Sequence, residues 1–112
     1  MNYKRLSCGL VAALLAVGMA VAQTYPSKPI KIVVPNAAGG AADITARTVG
    51  QVVSQTIGQP VVIENKPSAG GIVAGEQVAR SEPDGHTVLL ISSGTAVSSV
   101  LFKSLPFDTV KD

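Results

Sequence analysis

The chain has 112 residues, a formal net charge of +2 and 4% aromatic side chains. That length holds one domain at most. Apart from Lys4 and Arg5, seven basic side chains stand against seven acidic ones; no basic cluster forms and stacking rings are few, which excludes a nucleic-acid surface.

Lys4 and Arg5 precede an apolar run, Leu10 to Val17, and Ala20-Val21-Ala22 supplies a small-x-small cleavage pattern. Residues 1–22 therefore read as a cleaved signal peptide, cut near Ala22-Gln23. The apolar run is well short of the ~20 residues that a membrane-spanning helix needs. Cys8 lies before this run, the wrong side for a lipidation cysteine. It is the only cysteine, so the exported segment 23–112 has neither disulfides nor thiol chemistry.

Tyr25-Pro26-Ser27-Lys28-Pro29 is an extended lead-in, because the residue before a proline is pushed out of the helical region. Ile30 to Val34 is a first strand, apolar on both faces but for Lys31, as in a parallel sheet covered by helices on each side. Asn36-Ala37-Ala38-Gly39-Gly40 then forms a glycine turn that opens a helix. From Ala41 to Ile57 the period becomes helical, with Ala42, Ala46, Val49, Val53 and Ile57 on one stripe. Gly58 suits the position after the helix, and Pro60 forbids its continuation.

Val61 to Glu64 reads as a second buried strand. A second glycine turn, Asn65 to Gly71, leads to a helix from Ile72 to about Ser81, weakened by Gly75. Pro83-Asp84-Gly85 is a turn, and Thr87 to Ile91 is a third strand. Ser92-Ser93-Gly94-Thr95 is a donor-rich loop ahead of a short helix around Ala96 to Phe102, which Leu105-Pro106-Phe107-Asp108 ends. The strand–helix–strand–helix–strand order predicts an α/β fold, a parallel sheet with helices on both faces and right-handed crossovers. Ligands of such sheets sit beyond the carboxyl ends of the strands, where the strand order switches, and all three small-residue loops fall at that edge.

The turn at Asn36 to Gly40 precedes a helix start, whose unpaired amides and positive dipole end favour an anion. It matches neither the dinucleotide-binding glycine pattern nor a P-loop; a ligand-free strand-to-helix turn is the alternative. Ser93, Gly94 and Thr95 offer further donors, or simply cap a helix. No nucleophile elbow surrounds the serines, and the lone His86, read as a solvated strand start, makes no metal set. Asp43 reads as a helix-start charge paired with Arg47 one turn on, while Glu64, Glu76 and Glu82 read as solvated carboxylates. No catalytic residue, cofactor motif or metal site emerges.

The residues Tyr25-Pro26-Ser27-Lys28-Pro29-Ile30, then Val33-Val34-Pro35-Asn36-Ala37-Ala38-Gly39-Gly40-Ala41-Ala42-Asp43, resemble the Bug family, the extracytoplasmic solute receptors of tripartite tricarboxylate transporters. The likeness continues through Gly58 to Pro67, Ala69-Gly70-Gly71, Pro83-Asp84-Gly85 with Thr87, Ser93-Gly94-Thr95 and Leu105-Pro106-Phe107-Asp108. It departs from the family's pattern at Asn36, commonly aromatic, and at Ser68 and His86, commonly glycine and tyrosine. The resemblance implies the first lobe of a periplasmic-binding-protein type II-like fold, and a periplasmic receptor that closes on a small carboxylated solute and delivers it to membrane transporter subunits. It also implies that Asn36, Ala37, Ala38, Gly39 and Gly40, with Asp43 beside them, hold the solute carboxylate through backbone donors, and that Ser93, Gly94 and Thr95 form a second ligand segment. Such receptors are about three times longer, so 23–112 reads as a partial first lobe with the second lobe absent. A periplasmic interaction or signalling module, or a fragment without function, is the alternative.

Overall fold

The computed structural model describes residues 24–111; the signal peptide read over 1–22 lies outside them. In chain order the elements are β1 (Ile30–Val34), α1 (Ala41–Ile57), β2 (Val61–Asn65), a single 3-10 turn (Ala69–Gly71), α2 (Ile72–Ala79), β3 (Thr87–Leu89) and α3 (Ser93–Leu101). The strands form one parallel sheet in the order β2-β1-β3. Ile30 stands opposite Val61 and Val34 opposite Asn65 on one side, and Lys31 opposite Thr87 through Val33 opposite Leu89 on the other.

Side chains alternate between the faces of a strand, and this places the helices. Gly50 of α1 lies on Val61 and Ile63, where an added Cβ would meet Val61 Cγ1 at 3.0 Å. Gln77 of α2 donates to Glu64 Oε2 at 3.2 Å, on the opposite face. One helix therefore covers each face, the doubly wound arrangement expected from right-handed crossovers that run first one way and then back past β1. The central strand carries the core: Val33 and Val34 are fully buried, joined by Ala46 and Ala74.

Helix α1 has the expected bounds. It ends because Gly58 turns left-handed (φ 70°) and donates its amide to Ser54 O, a closure that a residue with a Cβ disfavours. The other boundaries shift. β3 stops at Leu89, two residues before Ile91, although the Leu90 amide still donates to Val33 O at 2.9 Å. Helix α3 begins at Ser93, so Ser93-Gly94-Thr95 is its first turn and not a preceding loop. Ser92 is the extended residue before it, and its carbonyl accepts from Thr95 and Ala96; serine and glycine suit a first turn better than a helix interior. Gly75 fits α2 because the Phe107 ring packs onto it, leaving no room for a Cβ.

Two side chains read as solvated are not. His86 is only 7% exposed, because the lead-in Tyr25–Pro29 folds over it. Glu64 is half-buried between Lys31 Nζ at 2.9 Å and Lys66 Nζ at 3.2 Å. Glu76 and Glu82 pair with Arg80 and Lys28. Val97, Val100 and Leu101 leave one side of α3 apolar and exposed.

Candidate functional site at the carboxyl edge of the sheet

The segments that leave the three strands meet at one edge. Pro35 follows β1, Gly71 lies between β2 and α2, and Thr95 lies in α3 just past β3. A Cβ built on Gly71 would sit 2.9 Å from Pro35 Cβ and 2.7 Å from Thr95 Oγ1, so the glycine is wedged between the other two. Beside it, Ser98 Oγ lies 3.2 Å from Gly70 O and 2.8 Å from Gly94 O, which share its one hydrogen. The edge lies where β1 and β3 are followed by chain running to opposite faces, the place at which doubly wound sheets open a crevice.

The β1–α1 loop is held by a chain of polar contacts. Asp43, 3% exposed, accepts at Oδ2 from the Gly39 amide at 2.8 Å and from Arg47 Nε at 3.0 Å. Arg47 also donates to Asn65 Oδ1 at 3.3 Å, and Asn65 Nδ2 donates to the carbonyl of Asn36 at 3.1 Å. The Arg47 guanidinium and then the Gly39 amide hold the Asp43 carboxyl at about 2. It is therefore ionised at neutral pH and cancels the Arg47 charge beside it. The other oxygen, Oδ1, is buried without a hydrogen-bond partner among the described residues.

This geometry corrects one detail of the expected cradle. The Gly39 amide is taken by Asp43 and the Gly40 amide faces Ala37 O at 3.3 Å, so neither is a free donor. The carboxylate three residues past the helix cap reaches back to satisfy the turn, in the manner of a capping box. The first helical bond runs from the Ile44 amide to Gly40 O at 3.0 Å. The amides of Ala41 and Ala42 ahead of it have no acceptor in the helix, and those of Ala37 and Ala38 have none in the loop. Asn36 through Gly40 are exposed.

At α3 the amides of Ser93 and Gly94 likewise have no acceptor among the described residues, as both precede the first bonds to Ser92 O. Ser93 and Gly94 are exposed, whereas Thr95 is buried with Oγ1 3.3 Å from Ser92 Oγ. Thr95 thus fixes the edge from inside. Pairing of Asp43 with Arg47 was legible from their spacing; Asn65, Gly70, Gly71 and Ser98 were not singled out, although the position of Asn65 directly after a buried strand was the available signal.

The family model for the tripartite tricarboxylate transporter family receptor matches residues 45–112. The chain belongs to this receptor family. A UPF0065 protein of Bordetella pertussis is 48% identical over 98 residues, which is 87% of this chain and 30% of that protein. Among solved structures, the periplasmic binding protein BugD is 42% identical with a TM-score of 0.70, over 75% of this chain and 28% of that one. MatC from Rhodopseudomonas palustris, solved with bound malate, is 39% identical with a TM-score of 0.68, over 74% and 29% of the two chains. The parallel α/β arrangement is thus that of periplasmic binding proteins of this family. The chain spans about 30% of the length of the relative it matches.

Proposed function

We propose that the chain forms the ligand-facing part of the first lobe of a periplasmic receptor, which captures a small carboxylated solute for a tripartite tricarboxylate-type transporter. The observation that carries this reading is the pairing of two helix starts, α1 and α3, at one edge of the sheet with amides that find no acceptor among the described residues. Helix starts favour anions through these amides and through the dipole. Because Asp43 and Arg47 cancel, the attraction is local and donor-based, so shape and hydrogen bonding select the solute rather than net charge. The donors assigned to the solute carboxylate are the amides of Ala37, Ala38, Ala41 and Ala42 on one side. Ser93 and Gly94 serve the other side, with Asn36 at the mouth. Gly39, Gly40, Asp43 and Thr95 shape the walls. The malate held by the related MatC is a solute of this chemical class.

A closing receptor surrounds its solute with two lobes, and residues 24–111 furnish one wall. An anion on one wall stays largely in water, where even a hydrogen bond to its charged oxygens is worth no more than about 1.5–3 kcal/mol net. Calorimetric titration of residues 23–112 with malate, succinate, citrate and glutamate is therefore expected to give dissociation constants of about 1 mM or weaker. Micromolar affinity would contradict the need for a second wall. Equal heats from the neutral diamide of succinate would contradict recognition of the carboxylate.

A further inference from the structure

At the opposite edge of the sheet, a second constellation is unrelated to the solute. The lead-in Tyr25–Pro29 is clamped onto the 82–86 turn by side-chain contacts. Tyr25 Oη donates to Gly85 O at 2.7 Å, and its ring lies 4.9 Å from the His86 ring. The Ser27 amide donates to His86 Nε2 at 3.2 Å. Lys28 Nζ bridges Asp84 Oδ2 at 2.6 Å and Glu82 Oε2 at 3.2 Å. His86 itself is held from behind: its own amide donates to Asp84 Oδ1 at 2.9 Å, and Nδ1 lies 3.1 Å from Asp84 O.

These contacts select the tautomer of the neutral ring. A backbone amide can only donate, so the Nε2 that faces Ser27 must carry no hydrogen. The single hydrogen of the neutral ring is then on Nδ1, where it points at Asp84 O. Imidazole is the side chain that changes charge between about pH 5 and 8. A proton added to this ring has one place to go, which is Nε2, and there it confronts the Ser27 N–H. The other ionisable groups in contact do not share this change. Lys28 holds the Asp84 carboxyl well below the usual carboxylate range, so Asp84 stays ionised. Its charge, 3.3 Å from Nδ1, is in turn countered by the Lys28 ammonium, with Glu82 on the outer side.

We propose that His86 is a proton-operated latch for the amino-terminal strap. The neutral ring accepts from Ser27 and holds the strap at that point, and the protonated ring ejects the Ser27 amide and loosens the strap there, while Tyr25 and Lys28 keep their own contacts. The latch sits at the start of β1, where the Lys31 amide donates to His86 O at 2.7 Å, away from the edge proposed for the solute. It therefore stands or falls independently of solute binding.

Hydrogen exchange by NMR on the chain across this pH range tests it, with rates corrected for intrinsic exchange. Ser27 amide protection is expected to fall at least tenfold with the same midpoint as the His86 Cε1–H resonance, while the Val33 amide stays protected. His86→Gln, which retains a side-chain acceptor but cannot titrate, is expected to abolish that step. Constant Ser27 protection through the His86 titration, or a change at a different midpoint, would overturn the latch in the unsubstituted chain alone.

Discussion

Replacing Gly71 by alanine is expected to destabilise the chain by about 2–4 kcal/mol. Two costs combine. Gly71 has φ 71°, a left-handed conformation that costs a residue with a Cβ about 1–2 kcal/mol. The new methyl would also lie 2.9 Å from the Pro35 ring and 2.7 Å from Thr95 Oγ1, where the interlocked segments give little room. Gly58 separates the two terms, since it has nearly the same φ, 70°, with no heavy atom within 4 Å of its Cβ position. Gly58→Ala should therefore cost only about 1–2 kcal/mol. Urea unfolding of both variants checks this. Equal losses would mean that the three strand exits are not interlocked. With a core of so few buried apolar side chains, Gly71→Ala is expected to leave a large unfolded population, because domains of this size have a small stability margin.

Acid should unfold the chain in a window set by carboxylates held below their ordinary range: Asp84 beside Lys28, and Asp43 and Glu64. Arg47 and the Gly39 amide hold the Asp43 carboxyl at about 2, and Lys31 followed by Lys66 holds Glu64 at about 2. Both values are lower than in an unfolded chain. The stability they contribute is thus complete above the ordinary carboxyl range and is lost as pH falls toward about 2, because the unfolded chain takes up protons first. The urea midpoint is expected to be level from about pH 7 to 5 as regards these groups, and to fall steeply from about pH 4 downward. Asp43→Asn and Glu64→Gln should each be less stable at neutral pH and show a shallower acid slope. An unchanged slope in both variants would show that these contacts do not persist in solution.

Much of the scaffold was legible because period and punctuation agreed. The stripe from Ala42 to Ile57, ended by Gly58 and Pro60, gave α1 its bounds, and the doubly apolar β1 implied helices on both faces. The start of α3 was hidden because Ser93, Gly94 and Thr95 have loop-like propensities; what makes them helical is the grip of Ser92 O and the burial of Thr95 and Ser98 against Gly70 and Gly71. His86 illustrates the same limit. A histidine after a turn reads as solvated until a proline-rich strap is laid over it, a contact between segments nearly sixty residues apart. At the candidate site the turn itself was readable. Which amides remain free was not, because that depends on Asp43 reaching back to Gly39 rather than turning outward.

Amide chemical-shift mapping with malate tests the central claim most directly. Increasing malate is expected to shift Ala37, Ala38, Ala41, Ala42, Ser93 and Gly94 together on one saturation curve, while the Ser27–His86 end of the sheet stays still and the neutral diamide has no effect. Shifts confined to one helix start, or scattered away from the carboxyl edge, would contradict a shared anion seat between α1 and α3.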